Sequence, residues 1–580
     1  MIFENCWGFS FKDISAALVM GVERMTAWAD LLDQINVFPA ADGDTGRNLA
    51  VSLSPLRHGE KDPGSLVQKL MFTARGNSGN IAAHFFSGFL DTGSSQNMLQ
   101  AADLGRCRAW QAVGDPRPGT MLTVFDALVE GLDRSPVLTH ECIDEIISRL
   151  EKAVQATPQL LPELKEAGVV DSGALGMFIF FEGFFRNLIK SDEIFRPVTD
   201  RFQNTLRVSS SFKGDDSAAH CVTLVIRSDK NHDLLKEQLS SCGTSLVAAG
   251  DHDHLKIHLH AFNVDAVRTK AGSLGQILSW SDEKIKDHTH RLIKPDHSKS
   301  IHIMTDAAGS LTWSDAQKLG VTLLNSYILT RRGSFPETLA DPSEIYASMR
   351  LGEKITTAQA SVFERNQCYA SLLSRYEQVL YLCTGSVYTG NYHTALAWKK
   401  ENDPDGRFTV IDTGAASGRL AVIAMTTAGY AEQTDDPKEV ICFARCAAER
   451  AREYIFLDRL CYLAAGGRLS KPGAFFGDML HMKPIITPAA QGPQKAGIAR
   501  NPEDQIRFAL DKLSNEWKRN EDLPIMLEYS DNRQWVETRV KDAFLNRYPS
   551  SEIMLQPLSL TSGVHMGPGT WGVAFMTDKP

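Results

Sequence analysis

The chain lacks any Lys/Arg-rich block, any Cys-x-x-Cys pair, any low-complexity tract and any long unbroken apolar run. Each absence removes a class of function. With 61 Lys plus Arg against 70 Asp plus Glu and a net charge of −9, no surface of the kind that neutralises phosphate backbones is expected, and no nucleic-acid partner. The 10 cysteines are scattered, which fits reduced thiols in a cytoplasmic protein better than a disulfide framework. The most apolar stretch, residues 173–185, is interrupted by Glu182. The opening MIFENCWGFSFKDIS has neither the basic n-region nor the apolar h-region of a signal peptide, so neither secretion nor a membrane span is expected.

What is present is length and patterning. A chain of 580 residues has room for about three or four domains. Ile14, Leu18, Val22, Met25 and Leu32 recur at helical spacing, and comparable patterns around 64–74, 80–90, 121–132 and 142–165 predict an all-helical first part. After the polar stretch 209–217, β-type runs at 221–226 and 255–260 with a helix between them predict a small α/β unit. From Ile301 onward, strand runs such as 379–383 and 408–411 alternate with helices and predict a largely parallel sheet.

The densest chemistry lies in Asn36-Val37-Phe38-Pro39-Ala40-Ala41-Asp42-Gly43-Asp44-Thr45-Gly46-Arg47-Asn48. Two carboxylates flanking one glycine repel each other unless a cation lies between them, which points to Mg²⁺. Thr45, Gly46 and Asn48 then read as a helix start whose free N–H groups favour an anion. For an isolated Asp-Gly-Asp the better reading is an Asp-Gly turn with an N-cap, and it is the later segments that favour the metal-phosphate reading here.

This segment resembles the NVFPVPDGDTGTN signature of the dihydroxyacetone-kinase L-subunit-like (DhaL) family, and more closely its version in bacterial fatty acid kinases. Ala74-Arg75-Gly76-Asn77-Ser78-Gly79 resembles the family's ARGNSG loop, Gly119-Thr120-Met121-Leu122-Thr123-Val124 its GTxLTV, and Gly168-Val169-Val170-Asp171-Ser172-Gly173-Ala174 its GVVDAGG. The resemblance implies that Asp42 and Asp44, with Asn36 as third ligand, hold Mg²⁺ on the phosphates of ATP. Thr45, Gly46, Asn48, Asn77, Ser78, Gly79, Gly119, Thr120, Met121 and Asp171 are then nucleotide contacts. The glycines let N–H groups approach phosphate oxygens, and Ser78 and Thr120 offer hydroxyls. Asp171 is either a helix cap or a nucleotide contact. Pro118 stands where relatives commonly carry Glu.

Residues 218–290 resemble the middle domain of fatty acid kinases, and Cys221, His258 and His260 stand where that domain binds Zn²⁺. On a strand, His258 and His260 share one face, so a tetrahedral site is feasible. A half-buried strand with two solvated histidines is the alternative, and His220, His252 and His254 blur the ligand set.

Residues 300–580 resemble the DegV family of fatty-acid-binding proteins. Thr305-Asp306-Ala307-Ala308, Thr357-Ala358-Gln359-Ala360-Ser361, Thr389-Gly390-Asn391-Tyr392, Asp412-Thr413, Gly466-Gly467-Arg468 and His565-Met566-Gly567-Pro568-Gly569 carry it, with Ala358, Thr389 and Thr384-Gly385-Ser386 as departures. The resemblance implies an acyl chain in an apolar tunnel. Thr305, Asp306, Thr357, Ser386, Thr389, Gly390 and His565 would lie around its carboxylate, with Arg468 supplying positive charge.

Together these resemblances imply a multidomain bacterial protein. Its parts are an all-α DhaL-like helical barrel (1–205), a small α/β middle domain (206–295) and a C-terminal α/β two-lobed DegV-like domain (296–580). The implied activity is a phosphotransferase that turns a bound fatty acid into an acyl phosphate, with Asp42, Asp44, Arg468 and His565 at its catalytic centre. Small-ketone or polyol phosphorylation and non-catalytic lipid binding are the alternatives. A homodimer, and transient contact with a membrane or an acyltransferase, are the expected associations.

Overall fold

In a computed structural model, the structure describes residues 9–58, 62–91, 97–135, 137–213, 220–250, 254–285, 300–465, 482–489, 491–517 and 524–577. The chain divides into two compact units, residues 1–295 and 296–580. Gly466, Gly467 and Arg468, and also His252, lie outside the described residues.

The first unit begins with helices through Val198–Arg201, as the periodicity predicts. Ser172–Leu188 is apolar on every side and accordingly enclosed on every side, packed along Phe11–Thr26. Its phenylalanines meet Phe85, Phe86, Phe89 and Phe125 in offset and edge-to-face pairs, and Phe85 itself stacks on Phe125 at 4.1 Å between centroids. The charge that interrupts the apolar run is the hub of an internal ion-pair network. Glu182 is 0% exposed and accepts from Arg24 Nε at 3.1 Å and from Arg201 Nη2 at 2.9 Å. A carboxylate so enclosed is tolerable only because both oxygens are paired.

Among the described residues this unit continues with helices His232–Ser240 and Val264–Leu274 and a four-stranded antiparallel sheet of order β2-β3-β1-β4, formed by β1 (His220–Arg227), β2 (Thr244–Gly250), β3 (His254–Ala261) and β4 (Gln276–Lys284). Val222, Leu224, Ile226, Ile257 and Leu259 point into its own core with Leu235 and Leu239 of helix His232–Ser240.

Among the described residues the second unit holds three sheets. β5 (His302–Asp306), β6 (Val321–Leu324), β10 (Val379–Cys383) and β11 (Phe408–Asp412) form a wholly parallel sheet of order β11-β10-β5-β6. β7 (Ser326–Thr330), β8 (Gly333–Pro336) and β9 (Thr356–Gln359) form an antiparallel one. β12 (Ala451–Phe456), β13 (Lys483–Ala489), β14 (Gly492–Ala499), β15 (Ile525–Tyr529), β16 (Ile553–Pro557) and β17 (Trp571–Met576) form the third, of order β14-β13-β12-β17-β15-β16. Only β15 and β16 run parallel there. The expectation of a largely parallel sheet thus holds for the first sheet alone. Ala489 pairs with Gly492 across a hairpin, a connection too short for a parallel crossover. Helix Ser417–Ala431 lies between the parallel and the six-stranded sheets, and its Leu420, Val422 and Ile423 enter the core they share. Among the described residues no helix is long and apolar enough to cross a membrane.

Glu182→Leu removes the buried carboxylate to which both Arg24 and Arg201 donate. It should lower the stability of the first unit by about 3–5 kcal/mol, with a double Arg24→Met/Glu182→Leu variant recovering part of the loss. Scanning calorimetry of the variants checks this, and an unchanged unfolding midpoint in Glu182→Leu would contradict it.

Candidate functional site

Helix Ala29–Gln34 leads into residues 36–44, and the chain turns at Gly43 (φ 62°) to start helix Thr45–Ser52. Asn36, 2% exposed, organises this turn. Its amide nitrogen donates to Asp42, while its oxygen accepts from Thr45 Oγ1 at 2.7 Å and Ser172 Oγ at 3.1 Å. With its oxygen taken by two hydroxyls, Asn36 orients Asp42, and serving as a third cation ligand would require the amide to rotate.

Asp42 and Asp44 interact directly through their side chains at the wall of one cavity. Burial pushes Asp42 up to about 6, against favourable hydrogen bonds from its neighbours. Burial and then the charge of Asp42 push Asp44 up to about 7. Both belong to a cavity of about 560 Å³ that also receives Asn77 and Ser78, Thr120 and Met121, and Asp171 with Ser172. The four segments singled out in the sequence therefore converge on one cavity.

Several of the expected contacts are engaged elsewhere. The N–H of Gly46 donates to Asp33 Oδ1 at 2.7 Å, and that of Arg47 to the same oxygen at 3.3 Å, so this helix start is already neutralised and is not a free anion site. Gly79 serves helix packing, since a Cβ there would meet Ser52 Oγ at 2.0 Å. The N–H of Gly119 donates to Thr123 Oγ1 at 2.7 Å, and its φ of 91° with Leu160 close by explains the glycine. Asn48 packs against Gly76, where a Cβ would meet its Nδ2 at 2.1 Å. Asp171 caps helix Ser172–Leu188, accepting from Ala174 N at 2.7 Å, and also lines the cavity. Burial raises it to about 7.

The cavity's other boundary is the sheet. Cys221 pairs directly with His260 across β1 and β3, and Thr223 with His258, which places Cys221, His258 and His260 on one face. Their ligating atoms lie within 4.8 Å of one another. Both imidazoles are 2% exposed, so the alternative of solvated histidines is not realised. Thr223 Oγ1 lies 2.9 Å from His258 Nδ1, and His260 Nε2 lies 3.8 Å from Asp42 Oδ2. One thiol and two imidazoles in this arrangement would suit a soft metal ion such as Zn²⁺. Burial followed by the charges of Asp44 and Asp42 pushes the Cys221 thiol well above its usual range, a penalty that a bound cation removes. His220 faces Asp282 instead, 3.9 Å away, and His254 pairs with Arg227 at the far end of β1.

In the second unit, His565 Nε2 lies 3.0 Å from Thr357 Oγ1. Helix Leu560–Met566 holds His565, and Glu337 holds the helix, accepting from Thr561 N at 2.7 Å and Thr561 Oγ1 at 2.8 Å. Thr305 and Asp306 lie beneath this surface rather than on it. Thr305 is 0% exposed and donates to Leu382 O at 2.9 Å. Asp306, 1% exposed, accepts from Thr384 N at 2.6 Å, Asn391 Nδ2 at 2.9 Å and the Tyr381 hydroxyl, tying down the loop that carries Ser386, Thr389 and Gly390. Arg365 links that loop to β9 through Asn391 Oδ1 at 2.9 Å and Gln359 Oε1 at 3.1 Å.

Residues 39–186 match the DAK2 domain model, 217–291 the model of the fatty acid kinase (FakA-like) middle domain, and 300–578 the model of the DegV family of uncharacterised proteins. The chain unites a DAK2 domain, a fatty acid kinase-like middle domain and a DegV domain. Curated relatives include uncharacterized proteins of Staphylococcus saprophyticus and Staphylococcus haemolyticus. The first is 29% identical over 325 residues, 51% of this chain and 58% of that protein. The second is 28% identical over 309 residues, 48% and 56%. The chain thus spans a little over half the length of these relatives. Among solved structures, a DegV family protein of Thermus thermophilus described by its fatty acid binding is 23% identical, with a TM-score of 0.45, covering 48% of this chain and 99% of its own. DegV of Bacillus subtilis, described as a fatty acid binding protein, is 19% identical with a TM-score of 0.44 and the same coverages.

Sequence reasoning missed Asp33, Arg365 and Glu337, and it quoted Asn391 within a motif without giving it a role. Asp33 stands three residues before Asn36, close enough to that motif to be noticed.

Asp42 and Asp44 bind protons more tightly in the folded DAK2 domain than in an unfolded chain. As pH rises from about 4 to 7 their ionisation therefore costs stability, and a cation is needed most once both are charged. A divalent cation should raise the unfolding midpoint of the nucleotide-free protein at pH 8 and barely do so at pH 5. Equal shifts at both values in thermal scans would contradict this.

Proposed function

We propose that this protein is an ATP- and Mg²⁺-dependent kinase that phosphorylates the carboxylate of a fatty acid held by its DegV domain, yielding an acyl phosphate. The observation that carries the reading is the paired carboxylates Asp42 and Asp44, held by Asn36 at the wall of a cavity into which all four DAK2 segments project. A cavity of about 560 Å³ is within the range that binds small molecules and cofactors. The middle-domain match is to a domain of fatty acid kinases, which favours an acyl acceptor over a ketone or polyol.

Mg²⁺ on Asp42 and Asp44 would neutralise charge on the phosphate oxygens of ATP. The rest of the work falls to the chain. Ser78 and Thr120 offer hydroxyls, and Asn36 keeps Asp42 turned inward. The acceptor carboxylate, with a pKa near ~4.5, is ionised at neutral pH, so no general base is required and positioning dominates. Thr357 and His565 hold that carboxylate, with Ser386, Thr389 and Gly390 on the loop anchored by Asp306, and Arg468 supplies charge. Zn²⁺ on Cys221, His258 and His260 would fasten the middle domain beside Asp42.

Incubating the protein with ATP, Mg²⁺ and fatty acids and trapping the product with hydroxylamine should give hydroxamate. Asp42→Asn should lower that yield at least about 100-fold while leaving lipid binding unchanged. His565→Ala should weaken fatty acid binding by about tenfold or more and spare nucleotide binding. Wild-type yield from Asp42→Asn would sink the assignment. Elemental analysis should find zinc at one ion per chain in the wild type and none in His260→Ala, and a metal content equal in the two proteins would remove the zinc site.

A further inference from the structure

Strand β2 is an edge of the middle-domain sheet, yet its outer side is covered. Val113 of the helical domain forms a β-bridge with Val247, and Gly114 N donates to Leu246 O at 2.9 Å. Further along, His84 Nε2 lies 3.1 Å from Ala248 O, and burial holds that imidazole down at about 4, so it is neutral and suited to donating there. The strand is thereby docked along helix Gly76–Phe89, whose first turn carries Asn77 and Ser78 into the cavity.

At this docking line β2 is irregular. Thr244 pairs with His260 and Val247 with His258, so three steps on β2 oppose two on β3, the signature of a bulge. Ser245 takes φ 57°, a left-handed conformation uncommon for a residue with a side chain. Gly243 admits no substitution, since a Cβ would meet His260 O at 2.2 Å. At the bulge, residues 243–247 reach the cavity, which Ser245 and Leu246 line together with Thr120 and Met121.

We propose that this bulge is a nucleotide-binding element: residues 243–247 of the middle domain form the closing wall of the ATP cavity, and Ser245 contacts the bound nucleotide. The inference rests on the nucleotide reading of that cavity and adds that a second domain completes it. Val113 and Gly114, at the start of the loop that carries Pro116-Arg117-Pro118, are held by β2, so bound nucleotide would contact both the helical and the middle domain.

The test uses the full chain, Mg²⁺ and ADP, without fatty acid. Wild-type binding by calorimetry comes first, and its absence would defeat the kinase reading itself. Given binding, Ser245→Gly retains the left-handed backbone and removes one hydroxyl, and should weaken ADP binding about fivefold. Ser245→Gln fills the cavity and should weaken it at least about tenfold. In hydrogen exchange of the wild type, amides 244–248 should slow when ADP binds, a readout independent of how the variants fold. Wild-type affinity in both variants, or protection confined to the helical-domain segments at 36–48, 76–79, 119–121 and 171–173, would overturn the inference.

Discussion

The proximity of Asp42 and Asp44 is the constraint around which the first unit is built. Burial raises the proton affinity of both carboxylates and the charge of Asp42 adds to it at Asp44, and nothing in an apolar core would hold them there. Asn36 makes the arrangement tenable by spending its amide on Asp42 and its carbonyl on Thr45 and Ser172, so three chain segments meet at one side chain. Asp33 takes the amides of the following helix, which fixes where that helix begins. The site is consequently an acidic pocket suited to a cation, lined also by Asn77, Ser78, Thr120 and Ser172 of other segments.

The sheet domain gives the same pocket its remaining boundary. Strand alternation puts Cys221, His258 and His260 on one face, and that face meets Asp42. A soft-ligand cluster and a hard carboxylate pair thus lie side by side with His260 between them, which suits two cations of different chemistry. The bulge in β2 arises in the same place, opposite those two histidines, so the backbone irregularity and the ligand cluster shape a single boundary.

The second unit solves a comparable problem by support from beneath. His565 and Thr357 come from elements distant in sequence, and the surface they share rests on buried carboxylates: Glu337 under the helix that carries His565, Asp306 under the loop that ends at Asn391. Arg365 spans the gap between that loop and β9. Buried polar groups whose partners are in place confer a single geometry on the surface they support.

By itself the sequence determined the elements and the local chemistry. Helical periodicity, the Asp-Gly-Asp turn, the alternation of His258 and His260 on a strand and the three domain resemblances all depend on spacing within short windows, where side-chain direction follows backbone type. Tertiary structure alone decided which groups are free to act. Gly46 and Gly119 look like phosphate donors until Asp33 and Thr123 are found on their N–H groups, and Glu182 looks like a flaw in an apolar run until Arg24 and Arg201 close on it. Strand direction in the six-stranded sheet and the bulge at Ser245 were likewise beyond reach of the sequence. Hydrogen-bond satisfaction and strand pairing are settled between residues far apart in the chain, and no window of sequence contains both partners.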